Sequence, residues 1–72
     1  MIDMGYIVVK EITNGEGKVP VGSQIDIVRD VIYLNGGMLD TYYQYYFADL
    51  IDYEEKNGFH YLRPQKAIYN KL

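Results

Sequence analysis

"DTYYQYYFADLIDYEE", residues 40–55, is the stretch whose period decides the fold. It holds five of the nine tyrosines and five of the ten acids. Tyr and Phe favour strands, but Leu39, Tyr43, Tyr46, Phe47 and Leu50 recur at spacings of three and four, as one helical face requires. A strict alternation would instead put Asp49 on one face with Tyr43 and Ile51. The spacing predicts a helix over about 40–56. Asp40 or Thr41 can cap its start, and Asn57-Gly58 can end it in a left-handed turn.

At about 100° per residue, the apolar set lies within about 60° of one axis. Tyr42 and Tyr53 then fall to one side with Asp49, and Tyr45 and Asp52 point toward solvent. Flanking tyrosines can lean on a core and wet only the hydroxyl, which is one account of Tyr42 and Tyr53. Tyr45 points about opposite the core and resists that account. The functional reading is a docking patch of Tyr42, Tyr45, Asp49, Asp52 and Tyr53. Rigid rings give contact area at low entropy cost, and carboxylates steer a basic partner. That partner is another protein with a basic surface or a second copy of this chain.

Before the helix the period is two. Residues 6–12, "YIVVKEI", read as a strand, and "TNGEGK" as a turn with Gly15 and Gly17 at positive φ. Pro20 and Gly22 mark an edge or irregular stretch. "QIDIV" alternates and is a half-buried strand, Arg29-Asp30 a tight reversal, "VIYL" another strand, and Asn35-Gly36-Gly37 a break. After the helix, "FHYL" is a short strand or extended return, and Pro64 can open a short helix at 65–71. The expected architecture is α+β: one domain over residues 1–72, with a three- to four-stranded antiparallel sheet (an SH3- or OB-like meander) and one helix across it.

A chain of 72 residues buries a small core. It has no Cys for disulfides or thiolate metal sites. The start has no basic n-region, and no window approaches the roughly 18 apolar residues of a membrane span. A soluble cytoplasmic protein without cofactor or metal is expected. The net charge of −3 is uneven. Residues 1–39 carry five acids against three bases, 40–58 five against one, and 59–72 none against Arg63, Lys66 and Lys71.

Catalytic arrangements are poorly supported. There is one His, His60, between apolar neighbours, and a triad would need Ser23 and a distant carboxylate to meet it. "DYEE" lacks the spacing and central Gly of a calcium loop, and "NGEGK" and "NGG" lack the phosphate-loop pattern. An enzyme is not expected. The rival reading is nucleic-acid binding, with Tyr6, Tyr33, Phe59, Tyr61 and Tyr69 stacking bases and Arg63, Lys66 and Lys71 on phosphates. Seven basic residues and a negative total charge weigh against it.

The order "VPVGSQIDIVRDVIYLNGG", "FADLI", "YLRP" across residues 19–64 resembles small accessory proteins encoded by tailed phages of Gram-positive bacteria. That resemblance implies an inhibitor or modulator that acts early in infection by occupying a host protein. Some such proteins imitate the negative surface of DNA to block a DNA-handling factor such as a sliding clamp or a nucleoid protein. A charge of −3 is small for a DNA mimic, and the acids here are interleaved with rings, so the implied contact is mixed, apolar and acidic. The further alternative is a virion structural or assembly subunit.

Overall fold

Two tight reversals build the sheet. The computed structural model describes residues 4–14 and 17–65. Within it β4, Gln24–Val28, returns as β5, Val31–Leu34, through Arg29 and Asp30 at φ 51° and 67°. β5 returns as β6, Gly37–Met38, through Asn35 and Gly36 at φ 51° and 88°. Two central residues with positive φ match the right-handed twist of the flanking strands. Asn35-Gly36 is well suited to that geometry; Arg29-Asp30 adopts it without a glycine.

β1, Met4–Val8, pairs antiparallel with β4 on one side and with β7, Leu62–Pro64, on the other. The sheet is open, in the order β6-β5-β4-β1-β7. A separate hairpin joins β2, Ile12–Asn14, to β3, Gly17–Val19. α1, Thr41–Asn57, packs on the sheet. The architecture is the expected α+β, with more strands than the pattern predicts. β6 has two residues and β7 contains Pro64, so neither has a clear alternating signature.

The run 6–12 is not one strand. β1 stops at Val8 and β2 starts at Ile12. Val8 and Ile12 are both buried, while Val9, Lys10 and Glu11 between them are exposed, so the run leaves the sheet between two core anchors. The Val9 and Lys10 amides both reach the Tyr61 carbonyl, at 2.8 and 3.4 Å. Gly17 opens β3 without positive φ, and its N–H donates to Asn14 Oδ1 at 3.1 Å. Tyr61 precedes β7, which runs on through Pro64; residues 66–71 of the expected terminal helix lie outside the described residues.

Strand register puts Tyr6, Val8, Ile25, Ile27, Ile32, Leu34 and Leu62 on the face toward α1. Phe47 and Ile51 of α1 complete that core. Asp40 is the N-cap, its Oδ1 accepting from the Tyr43 amide at 3.1 Å, and Gly58 at φ 89° ends the helix. The buried residues of α1 are Phe47, Ile51 and Glu54. The buried axis is therefore turned by about 60° from the one the apolar spacing predicts.

Two polar side chains account for that turn. Gln44 Oε1 accepts from the Ile32 amide at 2.8 Å, and its Nε2 donates to the Ile32 and Leu39 carbonyls at 2.8 and 3.0 Å. The side-chain amide thus takes the place of a neighbouring strand where β6 leaves β5. Ten residues later Glu54, fully buried, directs Oε1 at the amides of His60, Tyr61 and Leu62, at 2.8, 2.8 and 3.0 Å. Ten residues of helix rise about 15 Å, and three strand spacings from β5 to β7 span about 14 Å. The helix therefore crosses the strands and fastens the sheet near both ends.

The Glu54 contact also closes an edge. In the β1–β7 ladder, alternation turns Leu62 and Pro64 away from β1. The Leu62 amide is taken by Glu54 and Pro64 has no amide, so β7 offers no outward donor over that span. An edge without donors is a poor template for strand addition.

Candidate docking face

The same helix sets the opposite face. Tyr42, Tyr45 and Tyr53 are 62%, 70% and 57% exposed, and Asp49 and Asp52 are exposed beside them. Around the helix these five residues span about 100°, centred about 180° from the buried axis. Along it, Tyr42 and Tyr53 are separated by about 17 Å of helical rise. The 60° turn of the core stripe moves Tyr42 and Tyr53 off the flank and onto the outer face. They do not lean on the core, as the flanking account would have it.

Tyr42 has some support. Its ring meets Tyr43 edge-on at 4.9 Å, Tyr43 meets Tyr46 at 6.4 Å, and Tyr46 meets Phe47 at 5.2 Å. This row of T-shaped contacts leads from the exposed ring to the core. Lys56, at the C-terminal end of α1, falls within the same angular sector, a basic member the sequence reading did not include.

Three of the five acids of residues 40–58 have internal partners. Asp40 caps the helix, Glu54 holds the α1–β7 connection, and Glu55 accepts the Tyr6 hydroxyl at 2.7 Å. Asp49 and Asp52 are left to face solvent. The face is therefore lightly charged and strongly aromatic.

Glu54 and Tyr6 have displaced proton affinities. Burial pushes the Glu54 carboxyl up, but the amides of Tyr61, Leu62 and His60, with the charge of His60, outweigh it and hold it below the ordinary carboxylate range. Its Oε2 is buried without a hydrogen-bond partner among the described residues. Burial pushes the Tyr6 phenol well above its ordinary range, and Glu55, by hydrogen bond and charge, and Asp52, by charge, push it further. Both groups serve the fold. Ser23 is buried and donates to the Pro20 carbonyl at 2.8 Å, a turn contact. His60 is exposed and lies before β7, its amide bound to Glu54.

Of the described residues assigned to nucleic acid, Tyr6 and Tyr61 lie apart from Arg63 and Tyr33. Tyr6 is 1% exposed and cannot stack on a base. Tyr61 is half-buried with the Lys10 ammonium 5.2 Å from its ring centre. Arg63 pairs in register with Ile7, which puts it on the sheet face away from α1, and Tyr33 shares that face. Lys66, Tyr69 and Lys71 lie outside the described residues. Among the described residues no cluster of His, Asp and Glu could hold a metal ion, and no helix is long and apolar enough to cross a membrane.

No protein-family model matches the chain, and no curated protein or solved structure is significantly similar to it.

Proposed function

We propose that this chain is a non-enzymatic binding protein that covers a basic surface of another protein with the outer face of α1. One observation carries the reading. Three tyrosines, each more than half exposed, stand with Asp49 and Asp52 on a helix face about opposite the core. Exposed rings gathered on one face, unlike rings scattered singly, mark an interaction site. These rings stand on a helix fastened near both ends of the sheet, so little ordering remains to be done on binding. Asp49 and Asp52 add steering toward a basic patch.

The resemblance to phage accessory proteins supports a host protein as the partner, with inhibition by steric occlusion. The mixture of rings and two carboxylates supports a largely apolar contact with a charged rim, on a DNA-handling factor or another basic protein.

Capture from bacterial lysate on the immobilised chain tests the reading. One dominant protein is expected, and Tyr45→Ala combined with Asp49→Lys abolishes its capture while the far-ultraviolet circular dichroism is unchanged. Undiminished capture by that variant removes the site. A low-salt gel shift on DNA or RNA that depends on Arg63 and Lys66 would favour the nucleic-acid reading instead. Self-association at micromolar concentration with incorporation into purified particles would favour a virion subunit.

A further inference from the structure

A groove adjoins the docking face at the start of α1. It is a shallow depression of about 550 Å³, open to solvent and lined by Asp30 of the β4–β5 reversal, Val31 of β5, Met38 of β6, and Asp40, Thr41 and Tyr45 at the helix start. Met38 and Tyr45 are among the most exposed large apolar side chains, at 69% and 70%. Tyr45 belongs to both the groove and the outer face, so the two surfaces are continuous. None of the residues lining the groove is basic. Gln44 also borders it, but the Gln44 amide is already spent on Ile32 and Leu39.

We infer that this groove receives an arginine side chain of the partner, with its aliphatic stem along Met38 and Tyr45 and its guanidinium between Asp30 and Asp40. This rests on the docking role proposed for the outer face and names the chemistry of the residue that anchors it. Charge complementarity selects the occupant, because two carboxylates border a groove with no cation in its lining. Asp40 gives Oδ1 to the Tyr43 amide, and its second oxygen remains for an outside donor. The exposed Tyr45 ring favours a planar, weakly hydrated cation over an ammonium, since a guanidinium stacks on an aromatic face while donating in its plane. Met38 adapts to the stem. The volume exceeds one side chain, so residues beside the arginine enter with it. Arg29, next to Asp30, has an interaction of its own.

The probe is a capped Gly-Arg-Gly tripeptide titrated into the isotopically labelled full chain and followed by amide chemical shifts. Its lysine and citrulline analogues are run in parallel. The expected result is saturable binding in the millimolar range, with shifts centred on Asp30, Met38, Thr41 and Tyr45. Arginine should bind at least about threefold tighter than lysine, because only the fork can pair and stack together. Citrulline should not bind. Asp30→Asn with Asp40→Asn should weaken arginine binding by about tenfold through loss of charge-assisted bonds, while Asn keeps both the helix cap and the positive-φ turn.

Equal binding of citrulline, shifts spread over the surface, or no saturation would overturn the inference. Concentration-dependent shifts at the groove without peptide would overturn it in favour of a second copy of this chain. Tyr53→Ala separates the two readings: it should weaken capture of the lysate protein and leave tripeptide binding unchanged. If the tripeptide fails while Tyr45→Ala with Asp49→Lys still abolishes capture, the groove assignment falls and the occlusion reading stands. If the tripeptide binds as expected while that variant captures normally, the groove stands and the outer-face reading falls.

Discussion

Tyr43 and Tyr45 are two positions apart on α1. The ring of Tyr43 is half-buried between Tyr42 and Tyr46, while Tyr45 is 70% exposed. Glu54 and Asp49 differ in the same way: Glu54 is fully buried with three amides on one oxygen, and Asp49 faces solvent. The two faces of α1 thus use the same residue types for opposite purposes. The inner face uses polar atoms to complete backbone hydrogen bonding that the strands leave open. The outer face displays them. Residue type alone therefore does not mark out the proposed docking surface. What separates the two faces is whether a side chain has an internal partner, and the comparison can be broken by removing partners on one face and groups on the other.

Glu54→Ala should have the largest effect. It leaves the Leu62 amide buried without an acceptor and releases the amides of His60 and Tyr61, for a loss of about 3 kcal/mol. For a domain of 72 residues that is a large share of total stability. Urea titration of wild type and variant gives the loss directly, and a change below about 1 kcal/mol would mean that water replaces the carboxylate readily.

The pH profile sharpens the same point without a substitution. The Glu54 carboxyl binds protons less readily folded than unfolded, so its contribution is fully present above the ordinary value of about 4.5. It fades as pH falls through the lower, folded value. Tyr6 acts at the other end. Its folded phenol is displaced upward, so its contribution is present below about pH 10 and lost above it as the unfolded phenol ionises. The expected result is a plateau between an acid limb and an alkaline limb. Tyr6→Phe should remove the alkaline limb. Thermal denaturation across pH checks both, and an alkaline limb unchanged in Tyr6→Phe would assign it to another group.

Gln44→Ala comes next, at about 2 kcal/mol, because it removes three neutral hydrogen bonds near the opposite end of the sheet. The Ile32 carbonyl keeps the Leu39 amide at 3.4 Å, so part of the edge remains satisfied. Amide exchange at Ile32 should accelerate in this variant, while exchange at Leu62 follows only the global loss. Equal acceleration at both would mean that the two contacts open together and not as separate fastenings.

These contacts also mark where the sequence could be read and where it could not. The period of three and four from Tyr43 to Leu50 was legible because one side of a helix must be apolar, and the Asp40 cap and the Gly58 ending were legible because their chemistry is local. β4 and β5 were legible from alternation and from the turn between them. The inner positions of Gln44 and Glu54 were not, since a polar residue is inward only when a distant backbone group needs it. Ile32 and Leu39 lie 12 and 5 positions from Gln44. No pattern within the helix records them, so the expected apolar axis was displaced by about 60°. The burial of Tyr6 is illegible for the same reason: its hydroxyl partner, Glu55, is 49 positions away. Of the proposed docking residues, Tyr45 points outward by period alone, whereas the exposure of Tyr42 and Tyr53 follows from the displaced axis.

The smallest expected effect on stability is on the outer face, and it bears most directly on function. Tyr45→Ala, Tyr53→Ala and Asp52→Asn should each stay within about 0.5 kcal/mol of wild type, because these side chains are largely exposed. Tyr42→Ala should cost slightly more, since its ring rests edge-on against Tyr43 at 4.9 Å. If Tyr45→Ala were instead to lose more than about 1 kcal/mol, its ring would be serving the fold and its exposure would be no argument for a partner. If it is stability-neutral and binding is lost, the ring is kept for something outside the chain. The contrast with Glu54→Ala then becomes quantitative. A substitution on the inner face removes binding only as far as it unfolds the domain, so binding and folded fraction fall together. A substitution on the outer face removes binding at constant folded fraction. Plotting capture against folded fraction for both sets should give two separate lines, and a single line through all the variants would mean that α1 has no face devoted to recognition.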